Sequence, residues 1–203
     1  MKNKKVKKGT YMIVSGLVLI VLALFMVLYN MTDDLRAGKA VAKTMDKVNN
    51  IKIEPSGIDY NICPEMELPF VEIDGEKYSG ILYIPAYELE LPVINNWSYD
   101  ALKEAPCIYS GSCYTKNLII AAHNYSSHFG KLNNLSLNDE IIFKDLDGNE
   151  FYYKVVEVEL VPGTDITYMK EGVFDLTLFT CNFSGDKRVT VRCEETLKSA
   201  FDL

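Results

Sequence analysis

A thiol, a guanidinium and an imidazole sit in this chain at spacings that suit nucleophilic attack on a carbonyl. Residues Leu176 to Arg192, LTLFTCNFSGDKRVTVR, read as two strands joined by a tight turn, with Cys181 closing the first and Arg188 opening the second. With Ser184, Gly185 and Asp186 in the turn, antiparallel pairing sets position 181 opposite 188, and directly opposed side chains share one face. The thiolate is the reactive form of cysteine, and a fixed cation beside it favours that form or stabilises the oxyanion that develops on an attacked carbonyl. The plainer alternative is a small buried cysteine and a solvated edge arginine. A third group, a base, decides between the two.

The chain has two histidines, His123 and His128. His123 ends LIIAAH, residues Leu118 to His123, an apolar run of strand length that delivers the imidazole into a polar loop, NYSSH. His128 lies inside that loop, where a side chain is held less firmly than at the end of a buried strand. A general acid or base needs firm placement, so His123 is the candidate. Thr180, before the thiol, is a candidate hydrogen-bonding residue of a substrate groove, although a β-branched residue is ordinary in a strand. Asn124 and Tyr125, with Ser126 and Ser127, are placed to orient the imidazole or line a pocket, and simple loop chemistry accounts for them equally well. No CxxC pair exists and neither histidine has a cysteine at ligand spacing, so no metal and no cofactor are expected.

These residues resemble the sortases, cysteine transpeptidases of Gram-positive cell surfaces. The family's Thr-Leu-x-Thr-Cys stands intact as Thr177, Leu178, Phe179, Thr180 and Cys181, and Arg188-Val189-Thr190-Val191 matches its arginine strand. After the histidine come Phe129, Leu132 and Leu135 at three-residue spacing, ahead of Asn138-Asp139, where the family often has Gly-Asp. The resemblance runs from about Phe70 to Glu194. Ala122 stands where the family commonly has glycine before the histidine. The short turn also raises Arg192 as the alternative arginine. It shares the face of Arg188 but lies roughly 13 Å further along the strand, which favours Arg188.

The resemblance implies a closed eight-stranded β-barrel in which Cys181 attacks the Thr-Gly bond of a Leu-Pro-x-Thr-Gly-like sorting signal on a secreted surface protein, forming a thioacyl enzyme. His123 would protonate the leaving amine and then deprotonate the incoming one, and Arg188 would hold the substrate carbonyl. The implied acceptor amine belongs to a cell-wall precursor or a pilin lysine. The connection Pro162 to Gly172, including Glu171 and Gly172, would shape the groove. That connection is short and no Asp-Pro-aromatic lid precedes the barrel, which points to surface-protein anchoring rather than pilus polymerisation. Two other classes are consistent with the residues: another wall-directed cysteine transpeptidase or hydrolase, which usually brings its histidine and cysteine into one local motif, and a silent surface-binding module.

The elements that must position these groups are legible in outline. In 203 residues the chain can bury one substantial core. Lys2, Lys4, Lys5, Lys7 and Lys8 precede Tyr11 to Tyr29, which carries no charge; as a helix this stretch spans about 28 Å, close to bilayer thickness. The apolar run continues past Leu22-Ala23-Leu24 rather than stopping at a cleavage site, so an uncleaved signal anchor is expected, single-pass, with a cytoplasmic amino terminus and an extracellular remainder. The five lysines contribute +5 to a total of −7, leaving −12 outside and disfavouring nucleic acid as a partner.

The expected division is a basic tail (1–9), an anchor (10–30), a stalk helix and linker (31–69) and a catalytic domain (70–203). Leu35, Val41, Ala42, Met45 and Val48 suggest the stalk helix, and Pro55, Gly57, Pro64 and Pro69 interrupt regular structure after it. Seven strands are predicted: Gly80 to Ile84, Leu91 to Ile94, Leu118 to Ala122, Glu140 to Phe143, Phe151 to Val161, Leu176 to Thr180 and Arg188 to Arg192. A short helix is predicted near Tyr99 to Glu104, and Asp147-Gly148 signals a hairpin. This is a mostly β, barrel-like pattern. Five cysteines leave at least one thiol unpaired, and an extracellular location permits a Cys107–Cys113 disulfide around Gly111.

Overall fold

The structure is a computed structural model that describes residues 2–51, 57, 59–170 and 174–197. It separates into two compact units, Met1–Arg36 and Ala37–Leu203. The first unit is helical throughout its described residues. Every large apolar side chain from Tyr11 to Tyr29 is more than half exposed. A helix that is apolar on all sides and uncovered by protein has the length and composition to cross a membrane.

The residues expected as anchor and as stalk helix both fall within α1 (Lys2–Asn50). In the second unit its buried stripe is Ala37, Val41, Met45 and Val48, spaced as a 3.6-residue period requires. Leu35 and Ala42, expected on that stripe, are exposed; Ala42 is rotated about 100° from Val41. Lys43 and Lys47 hold Asp74 at 3.0 and 2.6 Å. The arm after the helix is pinned by Tyr60, whose ring stacks on Tyr114 at 4.9 Å, and by buried Leu68. Pro55 lies outside the described residues.

Nine strands follow: β1 (Val71–Ile73), β2 (Glu76–Ile84), β3 (Leu89–Ile94), β4 (Cys107–Ser110), β5 (Leu118–Ala121), β6 (Glu140–Asp145), β7 (Glu150–Pro162), β8 (Leu176–Cys181) and β9 (Lys187–Thr196), with a one-turn helix α2 (Ile166–Lys170) before β8. The order is β1-β2-β3-β4-β5-β8-β9-β7-β6, and β6 pairs back onto β2. Strands β2 to β9 therefore form a closed, mixed eight-stranded barrel, with β1 added to β2 as a short hairpin. Closure passes through Gly80, where a Cβ would meet the Phe143 ring at 2.5 Å and the Lys144 carbonyl at 2.6 Å, so only glycine lets β2 serve both neighbours. Side chains alternating inward from the strands fill the interior, among them Leu82, Leu91, Ile120, Phe143, Tyr153, Leu178 and Val191. Each contributes about 1.5–3 kcal/mol on burial.

Two strands escape the sequence pattern. β1 has three residues, and β4 lies inside PCIYSGSC, which reads as a cysteine loop. The helix expected at Tyr99 to Glu104 is a single 3₁₀ turn, Ala101–Lys103. Asn138 fills its family position with φ 72°, a left-handed conformation that glycine adopts freely and asparagine tolerates. At the β6–β7 hairpin Gly148 has φ 88°, and the Asp145 carboxylate accepts from the Asn149 amide and side chain, each at 2.8 Å, and from the Tyr114 hydroxyl at 2.7 Å.

The Cys107–Cys113 disulfide that an extracellular location permits is not formed, and all five cysteines are free thiols. β4 carries Cys107 into one apolar cluster while Cys113 belongs to the other. Burial pushes the Cys107 thiol up to about 12 and drives Cys113 and Cys193 up as well, so these thiols are inert packing groups.

Candidate active site

The site is a row across three neighbouring strands. β5 and β8 run parallel with Ala121 beside Phe179, and the Ala122 amide donates to the Phe179 carbonyl at 3.2 Å. Two residues further along each chain, His123 comes alongside Cys181. On the other side of β8 the antiparallel register pairs Cys181 with Arg188, the pairing that the turn residues predict. Neighbouring strands lie about 4.8 Å apart, so the thiol arises one strand spacing from the guanidinium and one from the imidazole, which flank it on opposite sides. All three line one cleft of about 330 Å³ on the outer face of the barrel.

The register depends on the loop between β8 and β9. The Asn182 amide donates to the Lys187 carbonyl at 3.0 Å and the Gly185 amide to the Asn182 carbonyl at 3.1 Å, with Gly185 at φ 79°. The Asn182 side chain donates to Ser184 and to Asp186, each at 2.9 Å, and Ser184 also donates to Asp186. Four of the five loop residues are thereby tied together, and the fifth, Phe183, is fully exposed.

His123 is half-buried, and burial, reinforced by the positive charge of Lys103, holds its imidazole below its ordinary 6.5. The neutral base therefore predominates at neutral pH. Its backbone is fixed by the Phe129 amide, which donates to the His123 carbonyl at 3.2 Å, and its ring packs against Tyr125 at 5.1 Å. Ala122, in place of the family glycine, points its methyl group into the barrel core. Arg188 is half-buried, with its guanidinium laid over Gly163, where a Cβ would come within 3.1 Å of Nη1. Nη1 donates to the carbonyls of Gly185 and Lys187 at 3.2 Å, and among the described residues no carboxylate lies within ion-pair distance of it.

The family model described as Sortase domain matches residues 82–196, more than half of the chain. The chain belongs to the sortase family. Sortases are cell-wall transpeptidases, and the matched segment holds every residue of the row. Sortase C from Clostridium perfringens SM101 superposes with a TM-score of 0.56 at 21% identity, over 78% of this chain and 99% of that one. C. perfringens sortase C with the C-terminal cell wall sorting motif gives 0.57 at 20% identity, over 78% and 98%. Sortase A from Corynebacterium diphtheriae gives 0.55 at 16% identity, over 81% and 84%. At such identities these likenesses show the shared fold. No curated protein sequence matches the chain.

The remaining sequence candidates of this sortase are placed as follows. Thr180 is buried, and its side chain lines the cleft while its hydroxyl has no hydrogen-bond partner. Asn124 is exposed and Tyr125 packs on the His123 ring, and neither lines the cleft. Glu171 and Gly172 lie outside the described residues.

Arg192 faces the same way as Arg188 and is fully buried. It donates to Glu159 (3.0 Å), to the carbonyls of Met169 (3.0 Å) and Tyr168 (3.0 Å) and to the Thr177 hydroxyl (3.1 Å). It clamps α2 and the connection from β7 to β8 onto the sheet, which sets the cleft wall at Asp165 and Met169.

Residue-by-residue reasoning missed the opposite wall. Trp97, Tyr99 and Tyr109 line the cleft from the β3–β4 connection and β4. The signal in the sequence is their aromatic type around a segment that resembles a loop, and it becomes legible only once β4 is placed beside β5.

Proposed function

We propose that this sortase is a membrane-anchored cysteine transpeptidase that cleaves a Leu-Pro-x-Thr-Gly-like sorting signal between Thr and Gly and transfers the acyl half to an amine of a cell-wall precursor or a pilin lysine. The observation that supports the proposal is the His123–Cys181–Arg188 row, an imidazole, a thiol and a guanidinium along one cleft of a barrel of the sortase fold. The solved C. perfringens sortase C that carries a C-terminal cell wall sorting motif is consistent with the substrate class. The apolar helix supplies the anchor, with the basic tail in the cytoplasm and the barrel outside. Anchoring holds the enzyme in the plane where exported proteins and lipid-linked acceptors meet, which raises their effective concentration.

In the first half-reaction the Cys181 thiol gives its proton to His123 as sulfur attacks the threonyl carbonyl. Arg188 donates to the developing oxyanion. His123 then protonates the departing glycine amine, the C–N bond breaks and a thioacyl enzyme remains. Thr180, next to Cys181 in the chain, is among the cleft-lining residues and is assigned to the groove that holds the bound peptide. Tyr125 acts through the ring contact that orients His123, with Asn124 at the loop edge.

The test uses the full chain in nonionic detergent with sorting-signal peptides and an amine acceptor, read by mass spectrometry. A thioacyl adduct and a transpeptidation product are expected with the parent chain, and neither with Cys181→Ala. Product formation that survives Cys181→Ala, or peptide binding with no covalent species in the parent, would refute the proposal.

A further inference from the structure

The loop that follows His123 is closed on itself. The Tyr125 carbonyl accepts from the His128 amide at 3.0 Å and from the Gly130 amide at 2.8 Å, and the Phe129 amide returns to the His123 carbonyl at 3.2 Å. Gly130 passes so near that a Cβ on it would stand 2.6 Å from the Tyr125 carbonyl oxygen, an approach that needs glycine. Inside this loop the second histidine is not loosely held: His128 is 1% exposed. Its ring centre lies 5.4 Å from that of Tyr125, which lies 5.1 Å from that of His123. In the reaction proposed above His128 touches no reacting atom.

A buried ring at this place sets what its neighbours can do. Tyr125 is half-buried, and the firm surface that His128 offers limits where its ring can rest. Removing the imidazole would open a void beside Tyr125, which would then be free to leave His123. A general acid or base has to be held within a few tenths of an ångström, and groups that act at one remove supply that precision.

The other side of the loop meets the stalk. A Cβ on Gly38 of α1 would stand 3.4 Å from the Ser127 Cβ, so helix and loop already touch, and a side chain larger than alanine's would press on the residue before His128. Gly38 lies among the buried positions Ala37 and Val41. Glycine inside a helix costs about 1 kcal/mol relative to alanine, and here it lets helix and loop come together.

We propose that His128 is a positioning residue that holds His123 in place through the Tyr125 ring, and that α1 braces the same loop at the Gly38–Ser127 contact. The proposal rests on the acid–base role given to His123 above and adds the support that fixes it. The stalk helix is thereby part of the enzyme's working structure as well as its tether.

The test compares the full chain in nonionic detergent with His128→Ala and His128→Phe. His123 is the one histidine left in either variant, so its Cε1–H resonance is assigned at once and reports the adjacent Tyr125 ring. The resonance should move away from the parent position in His128→Ala and stay near it in His128→Phe. For transpeptidation, kcat should fall about ten-fold in His128→Ala while KM for the sorting-signal peptide changes by less than about two-fold, because a displaced acid–base group costs rate rather than binding. His128→Phe should recover most of the rate. Should His128→Ala fail to fold, Gly38→Val reaches the loop from the helix side: it should lower kcat about three-fold, and Ser127→Gly added to it should restore the rate. An unmoved resonance and parental kcat in His128→Ala, equal impairment of the two His128 variants, or a Gly38→Val effect that is absent or not relieved by Ser127→Gly would each overturn the proposal. The resonance is read without substrate, so it tests the placement of His123 whether or not thioacyl capture succeeds.

Discussion

Arg188 and Arg192 lie four residues apart on one face of β9 and serve opposite ends. Arg192 is enclosed, and its donors are met by a carboxylate, a hydroxyl and two carbonyls. Rings of Phe174 and Tyr168 flank its guanidinium at 5.2 and 5.5 Å. Arg188 is half-buried, touches two carbonyls through a single nitrogen and opens on the cleft. A guanidinium with all three nitrogens engaged holds structure together, whereas one bonded through a single nitrogen beside a thiol is available to a substrate. The same residue type on the same strand is a clamp at one position and open to the cleft at the other, by its surroundings alone.

The contrast is sharpest under truncation. Arg192→Ala leaves the partly buried Glu159 without its cation, with only the Tyr168 hydroxyl donating to it, and should cost about 3–5 kcal/mol of stability, read as a lowered denaturation midpoint of the chain in detergent. Arg188→Ala should do the reverse, leaving the midpoint nearly unchanged while kcat for transpeptidation falls about 10²–10³-fold, the loss typical of an oxyanion donor. If Arg192→Ala is stable but inactive, or Arg188→Ala is unstable, the division of roles is wrong. A smaller effect is expected at Gly163, the floor beneath the Arg188 guanidinium. Gly163→Ala places a methyl group 3.0 Å from the Asp186 carbonyl and 3.1 Å from Nη1, and because the side chain yields more easily than the backbone it should lower kcat/KM roughly ten-fold by displacing the guanidinium a few tenths of an ångström.

The smallest effect concerns His123. Its titration, followed by NMR of the imidazole Cε1–H, should have a midpoint below 6.5, shifted upward in Lys103→Met. The sign for stability follows: because the folded state disfavours the imidazolium, this contribution is fully present above 6.5 and is lost as pH falls through the lower folded value. A midpoint at or above 6.5 would show that burial and Lys103 do not control the base.

Much of this was legible along the chain, and the failures are instructive. The pairing of Cys181 with Arg188 follows from turn chemistry, because asparagine, serine, glycine and aspartate close a loop whose length sets the register. Seven strands follow from apolar runs between turn residues. β4 was missed because four residues between a proline and a glycine carry no usable period. Whether Cys107 and Cys113 bridge is open in the sequence for the same reason, since it is the placing of β4 in the sheet that sends the two thiols into separate clusters. Leu35 was assigned to a buried stripe that begins only at Ala37.

Local chemistry, then, determined the kinds of groups present: the apolar span, the polar hairpin with its opposed thiol and guanidinium, and the imidazole at the end of a buried strand. These depend on neighbours within a few residues, where sterics and turn hydrogen bonds act. Tertiary structure decided which groups meet. The parallel pairing of β5 with β8 brings His123 to Cys181 across more than fifty residues, the burial of Arg192 removes it from chemistry, and the side-by-side packing of β4 and β5 gathers three aromatic rings into a wall. Such long-range proximity arises only when the sheet closes on itself, because strand order and burial are properties of the whole barrel.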